Sequence, residues 1–341
     1  MRAILLAGGR GTRLHPLTEE LPKPMVPVLG RPWLDQLLQR LVRQGVTEIV
    51  LSLYHGKDVI TDYFRDGVPG ARLRWAVEPK PLGTGGAIRF AAHPADETFL
   101  VFNADIVQTF DLEAFLDFHR SRRAQVTIGL VQVADPSSYG LVELDDDGRV
   151  LRFTEKPGPG TARGGLVNCG IYAFEPEVLD WIPPGREVSV ERETFPALLA
   201  GGARVYGCLL HGYWKDIGTL DRYLELHRHA LAGRCPLEVP GRPVRAGVWQ
   251  ADGVRVAASA RLFPPVALGP GTVVDEDAEV GPWVVTGAGC RIGPRARAAE
   301  AVLWDHAELG AGVAVRRSVL GYNTRVGGGT LEGVMLAAAG R

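Results

Sequence analysis

Cysteine is scarce in this chain: four among 341 residues, Cys169, Cys208, Cys235 and Cys290, with no C-x-x-C pair. That excludes a disulfide framework and a cysteine zinc site, and it suits reduced, mostly buried thiols. No stretch approaches the roughly eighteen consecutive apolar residues of a membrane span. The apolar run at the N-terminus reads as a strand, so neither a transmembrane helix nor a signal peptide is expected, and a cytoplasmic location is. Charge of one sign is also missing. Lys and Arg total 38 against 39 Asp and Glu, a formal net charge of −1 that argues against nucleic-acid or membrane-surface partners. The eight histidines have no metal spacing; His227 and His229, two apart on an expected helix, cannot share a face.

Glycine, by contrast, is abundant, and its placement is informative. The run Leu5-Leu6-Ala7-Gly8-Gly9-Arg10-Gly11-Thr12-Arg13-Leu14 passes from a buried strand into a glycine-rich loop dense in backbone N–H groups. Such a loop lets the main chain wrap a phosphate chain. Arg13, and Lys23 in Pro22-Lys23-Pro24-Met25, add the cationic charge a triphosphate needs. A P-loop is excluded because Gly11 is followed by Thr12-Arg13, and a dinucleotide fingerprint because Leu14 stands where its third glycine would fall. The short G-G-x-G element alone would equally suit a plain strand-to-helix turn.

Residues 1 to about 233 alternate apolar strands with amphipathic helices, the pattern of a mainly parallel sheet covered by helices. Ligands on such sheets bind beyond the carboxyl ends of the strands, where the Gly8-Gly9 loop lies. After Gly233 helical periodicity disappears. Small or apolar residues then recur every six positions at Val256, Leu262, Leu268, Val274, Val280, Thr286, Ile292 and Ala298. The phase slips and resumes at Leu309, Val315, Leu320 and Val326. A six-residue period predicts a parallel β-helix over 234–341, whose open ends suit homo-oligomer assembly. His306, within this region, is a lone histidine that a hexapeptide-repeat acyltransferase could use as a base.

Phe99-Leu100-Val101-Phe102-Asn103-Ala104-Asp105 is an apolar strand that runs out to a carboxylate, and Tyr213-Trp214-Lys215-Asp216-Ile217-Gly218-Thr219 offers a second beside a glycine turn. Either Asp could be a turn or cap residue; together, hard carboxylate oxygens next to a phosphate loop suit Mg²⁺. Leu151 to Pro157 sets Glu155 and Lys156 side by side at another strand end, and Glu78 to Ala87 is a second glycine-rich loop leading into a helix.

The whole run from Leu6 to Pro27 closely resembles the signature of the sugar-1-phosphate nucleotidyltransferases. The resemblance implies a Rossmann-like nucleotidyltransferase domain (1–233) followed by a left-handed parallel β-helix of hexapeptide repeats (234–341). It implies Asp105 and Asp216 as magnesium ligands. Nucleotide contacts would come from Leu6, Ala7, Gly8, Gly9, Gly11, Thr12, Arg13, Lys23, Gly83, Thr84, Gly85 and Asp105. Sugar-phosphate contacts would come from Gly140, Glu155, Lys156 and Asn168, with Arg13, Lys23, Asp105, Lys156 and Asp216 as the catalytic set. Within the family, Pro-Leu-Gly-Thr-Gly-Gly, Val188 to Pro196 and Trp214-Lys215-Asp216-Ile217-Gly218 lean toward guanylyl transfer from GTP to mannose 1-phosphate. Thymidylyl or uridylyl transfer to glucose 1-phosphate is the alternative, and a non-catalytic NDP-sugar-binding regulator is the rival from another class.

Overall fold

The protein, seen in a computed structural model, is described over residues 1–9, 11–160 and 164–338; Arg10 of the glycine loop lies outside them. Its elements run β1 (Arg2–Leu6), β2 (Pro27–Val28), β3 (Arg31–Pro32), α1 (Trp33–Arg43), β4 (Glu48–Leu53), α2 (Lys57–Tyr63), β5 (Arg72–Val77), α3 (Gly83–Ala92), β6 (Phe99–Asn103), β7 (Ile106–Gln108), α4 (Leu112–Ser121), β8 (Val126–Val133), β9 (Gly140–Leu144), β10 (Val150–Glu155), β11 (Gly165–Phe174), α5 (Phe195–Ala200), β12 (Val205–Leu209) and α6 (Leu220–Leu231). A series of short strands follows. Contacts divide the chain into two compact units, one of Met1–Gly9 with Gln36–Trp214, the other of Arg10–Asp35 with Lys215–Arg341.

The first unit is built on a nine-stranded sheet in the order β10-β9-β11-β6-β1-β4-β5, with β8 beside β11 and β12 beside β8. Strands β6, β1, β4 and β5 run parallel, as the strand–helix alternation predicts. The sheet becomes mixed beyond them, because β11 runs antiparallel to both β6 and β8. Ile4, Leu5, Leu51, Leu100 and Val101 are fully buried, which is why these strands read as continuous apolar runs and do not alternate. Phe99, Tyr172, Phe174 and Phe195 form an aromatic cluster at the centre of the core. Register then places the functional loops. Leu6, the last residue of β1, stands level with Ser52 on one side and Asn103 on the other, so the glycine loop and the segment running to Asp105 leave the sheet at one edge.

In the second unit the six-residue period becomes three sheets of short strands, of seven, five and five strands, parallel throughout except for the first strand, Arg242–Arg245, which runs antiparallel to the next. Val274, Val280, Ile292, Leu309, Val315 and Leu320 line its apolar interior. Val274 pairs with Ile292, eighteen positions on, whereas Ile292 pairs with Leu309, seventeen on. The phase slip in the sequence is therefore a coil shortened by one residue. His306 sits at a turn with φ 61°, its ring beside Gly289.

Packed in the same unit are the segment Arg10–Asp35 and helix α6, which starts on the side chain of Thr219 as N-cap. His227 on α6 is buried, and both ring nitrogens are used: Nδ1 donates to the Tyr223 carbonyl (2.9 Å) and Nε2 accepts from the Leu29 N–H (3.2 Å). Burial pushes its pKa down to about 4. The unfolded chain takes up this proton near the ordinary histidine pKa and the folded chain does not, so stability falls as pH drops from about 6.5 toward 4. By pH 5 the loss should reach about 2 kcal/mol. Urea unfolding at pH 7.5 and pH 5.0 should show a larger acid loss for the wild type than for His227→Gln. Equal losses would remove His227 as the titrating group.

Candidate active site

At the end of β1 the chain stays close to its neighbour. The Ala7 N–H donates to the Ser52 carbonyl (3.0 Å), and a Cβ on Gly8 would lie 3.0 Å from the Tyr54 nitrogen. Gly8 is thus required for close approach, while Gly9 has open space around it. Facing Gly8 is a carboxylate absent from the sequence-derived site: Glu78, buried just after β5. Its Oε1 accepts from the Ser52 hydroxyl and its Oε2 from the Leu82 N–H, each at 3.0 Å. Burial raises its pKa against those two hydrogen bonds. Glu78 therefore ties the strand beside the glycine loop to the loop that carries Gly83, Thr84 and Gly85. Its sequence signal was present, an acidic residue at a strand end before glycines, but nothing local shows that it turns inward.

That second loop is shaped by the segment 188–194. The Val188 N–H donates to the Leu82 carbonyl and the Gly85 N–H to the Val188 carbonyl, each at 2.8 Å. Gly83 has φ 68°, and a Cβ there would stand 2.5 Å from the Val188 oxygen. The Thr84 hydroxyl donates to Glu191 Oε2 (2.7 Å) and accepts from the Val190 N–H (2.9 Å). Glu191 lies on a single π-helical turn, Val190–Thr194, a local irregularity found often at functional sites. Thr84→Val would orphan that N–H and leave Glu191 Oε2 with the Ser189 hydroxyl (3.0 Å) as its remaining donor, so we expect a stability loss of about 1–3 kcal/mol. Hydrogen exchange at the Val190 amide should accelerate at the same time; an unchanged rate would mean that Thr84 does not hold this segment.

Glu155 ends β10 paired with Gly140, where a Cβ would meet the Phe153 ring at 2.5 Å. Burial and then the nearby Glu191 raise the pKa of Glu155, with Lys156 opposing. Lys156 bends away at φ 48°, its N–H on the Tyr139 carbonyl (3.0 Å) and its ammonium 3.6 Å from Glu155. Asn168 Oδ1 accepts from the Gly170 N–H (2.9 Å) and its Nδ2 donates to the Tyr172 hydroxyl (2.8 Å). Gly170, at φ 77°, lets Asn103 come within 2.7 Å of where a Cβ would be, which sets the segment leading to the half-buried Asp105. The Trp214 indole donates to the Cys169 carbonyl (3.0 Å) and packs edge-on against Tyr139. All four cysteines are buried and unbridged.

In the second unit three cations converge on Asp216. Lys23 Nζ reaches Oδ1 at 3.0 Å, Arg222 Nη1 reaches Oδ2 at 2.7 Å, and Arg13 Nη2 stands 3.8 Å from Oδ2. Burial opposes ionisation, yet Lys23, Arg13 and Arg222 hold the carboxyl below the ordinary aspartate range. Glycines make the cluster possible: a Cβ on Gly11 would lie 2.9 Å from Lys23 Cβ, and one on Gly218 would lie 2.8 Å from Arg13 Nη2. Arg222, in the first turn of α6, was not foreseen from sequence. As ligands for a hard divalent cation, the two aspartates differ. Asp105 is a half-buried carboxylate just past the carboxyl end of β6, where hard oxygen donors suit Mg²⁺. Asp216 has both oxygens occupied by cationic side chains. Among the described residues, no three His, Cys, Asp or Glu side chains cluster as a ready metal site.

The family described as Nucleotidyl transferase matches residues 2–233, and the GMPPB C-terminal domain matches residues 262–336. A mannose-1-phosphate guanylyltransferase of Mycobacterium tuberculosis is 40% identical over 92% of this chain and 83% of its own length. A UTP–glucose-1-phosphate uridylyltransferase of Synechocystis is 34% identical over 92% of this chain and 85% of its own. Among solved structures, HddC from Yersinia pseudotuberculosis complexed with GMP-PN matches with TM-score 0.58 and 31% identity, covering 66% of this chain and 97% of HddC. No helix among the described residues is long and apolar enough to cross a membrane.

Proposed function

Because the chain belongs to the nucleotidyl transferase family, we propose that it transfers a guanylyl group from GTP to mannose 1-phosphate, giving GDP-mannose and pyrophosphate. The base and sugar are supported by the 40% identical guanylyltransferase, which covers nearly the whole chain. The observation that carries the chemistry is the cationic cluster of Lys23, Arg13 and Arg222 around one carboxylate. A sugar-phosphate oxygen attacks the α-phosphorus as the bond to the pyrophosphate oxygen breaks. No protein nucleophile is needed, so alignment and charge neutralisation do the catalysis.

Lys23 and Arg13 hold the triphosphate, with the amides of Gly8, Gly9, Gly11 and Thr12 along its length. Leu6, Ala7, Gly83, Thr84 and Gly85 border the nucleoside. Glu155, Gly140 and Asn168 hold the sugar, and Lys156 neutralises the incoming phosphate. Mg²⁺, with Asp105 and Asp216 as its carboxylate ligands, would supply further neutralisation of the phosphate oxygens. The cations on Asp216 act as stand-ins: a triphosphate that draws Lys23 and Arg13 to itself frees that carboxylate. The boundary near residue 233, a cytoplasmic location supported by buried unbridged thiols, and homo-oligomers assembled through the solenoid complete the proposal.

Asp105→Asn and Lys23→Ala should fold normally and lose ~10²–10³ in turnover. Near-normal rates at low Mg²⁺ would remove the residue concerned from the site. Specificity is read by a pyrophosphate-release panel of triphosphates and sugar phosphates. GTP with mannose 1-phosphate should exceed TTP or UTP with glucose 1-phosphate at least ~10-fold in kcat/KM, base choice being sharper because a wrong base edge leaves buried groups unpaired. Best turnover with UTP, the reading favoured by the Synechocystis relative, would overturn the guanylyl assignment and leave nucleotidyl transfer standing.

A further inference from the structure

The geometry points to a second role for the solenoid: Trp304 is a positioning residue that, through the Tyr223 hydroxyl and the Pro27 carbonyl, holds the turn presenting Lys23. This rests on the reading that Lys23 contacts the triphosphate. All four residues lie in the second unit. The Trp304 indole N–H donates to the Tyr223 hydroxyl at 3.0 Å, and that hydroxyl bonds the Pro27 carbonyl. The direction of the chain is fixed by chemistry. An indole N–H can only donate and a carbonyl can only accept, so the single hydroxyl proton must point at Pro27.

A parallel anchor acts two residues on. The His227 ring, donating to the Tyr223 carbonyl, accepts the N–H of Leu29. Leu29 is buried and left-handed at φ 52°, a conformation that is strained for a non-glycine residue and persists only when held. Between this hairpin and Lys23 there is little slack. Pro22, Pro24 and Pro27 fix their own φ angles, the Val26 N–H closes the turn on the Lys23 carbonyl (3.2 Å), and the Trp33 N–H bonds the Val26 carbonyl (3.1 Å).

Displacement of Pro27 is thereby passed to the Lys23 ammonium. The other links between α6 and the solenoid are weaker guides. Arg317–Asp221 (2.9 Å) is an exposed ion pair, and such pairs contribute little; Arg228–Glu300, partly exposed, is longer at 3.5 Å. The buried relay, with Trp304, Tyr223 and His227 each at most 3% exposed, is the one that sets position.

The test is equilibrium binding of GTP, without sugar phosphate, to the full-length wild type, Trp304→Phe, Tyr223→Phe, Lys23→Ala and Ile292→Val, below every melting transition. Ile292→Val is a solenoid-core variant outside the relay. We expect GTP to bind at least tenfold more weakly to Tyr223→Phe and at least threefold more weakly to Trp304→Phe, with Ile292→Val like wild type and the KM for the sugar phosphate unchanged in all three. Should Tyr223→Phe fail to fold, Trp304→Phe decides. Wild-type GTP affinity in Trp304→Phe alongside weakened Lys23→Ala overturns this inference alone. Unchanged affinity in Lys23→Ala overturns the phosphate assignment and the inference with it. An equal loss in Ile292→Val reduces the relay to ordinary stability and also overturns it.

Discussion

Lys23 has only 7% of its side chain exposed, and a buried ammonium is tolerable only with an opposite charge in contact. The Asp216 carboxylate meets that need, and the surroundings of the cluster follow from it. Gly11 and Gly218 are small because side chains there would collide with Lys23 or Arg13. Thr219 caps α6 just after Asp216, which places Arg222 in the first turn and on the carboxylate's other oxygen. One negative charge thus gathers three positive ones. The excess positive charge is what a polyanionic substrate would find attractive.

The first unit solves a different problem, that of keeping glycine loops in one conformation. Glycine gains close approach at the cost of backbone entropy, so each loop needs outside restraint. Glu78 and the segment Val188–Thr194 provide it, with buried hydrogen bonds joining Glu78 to Leu82 and Ser52 and further ones joining the segment to Leu82, Thr84 and Gly85. The same segment brings Glu191 near Glu155, so the residue that holds the loop assigned to the nucleotide also acts electrostatically on the strand end assigned to the sugar.

Much of the fold was legible because burial leaves a periodic trace. Each of the twelve solenoid positions picked out by the six-residue period, from Val256 to Val326, lies in a short strand. Even the slip marks a real change in coil length. The parallel centre of the first sheet was equally visible in its unbroken apolar runs. The antiparallel entry of β11 was not, since strand direction depends on how the chain returns and leaves no local signature.

Of the site, the sequence by itself determined the residue types and their places at strand ends and in glycine turns, because phosphate and metal chemistry demand particular donors in short, recognisable spacings. Tertiary structure alone decided the partners. Lys23 and Asp216 are 193 positions apart, Thr84 and Glu191 are 107, and Trp304 meets Tyr223 from 81 positions away. Glu78, Glu191 and Arg222 look like ordinary charged residues until the chain folds back. A local pattern reports which face of an element avoids water; which group a buried charge meets is settled only when distant segments pack.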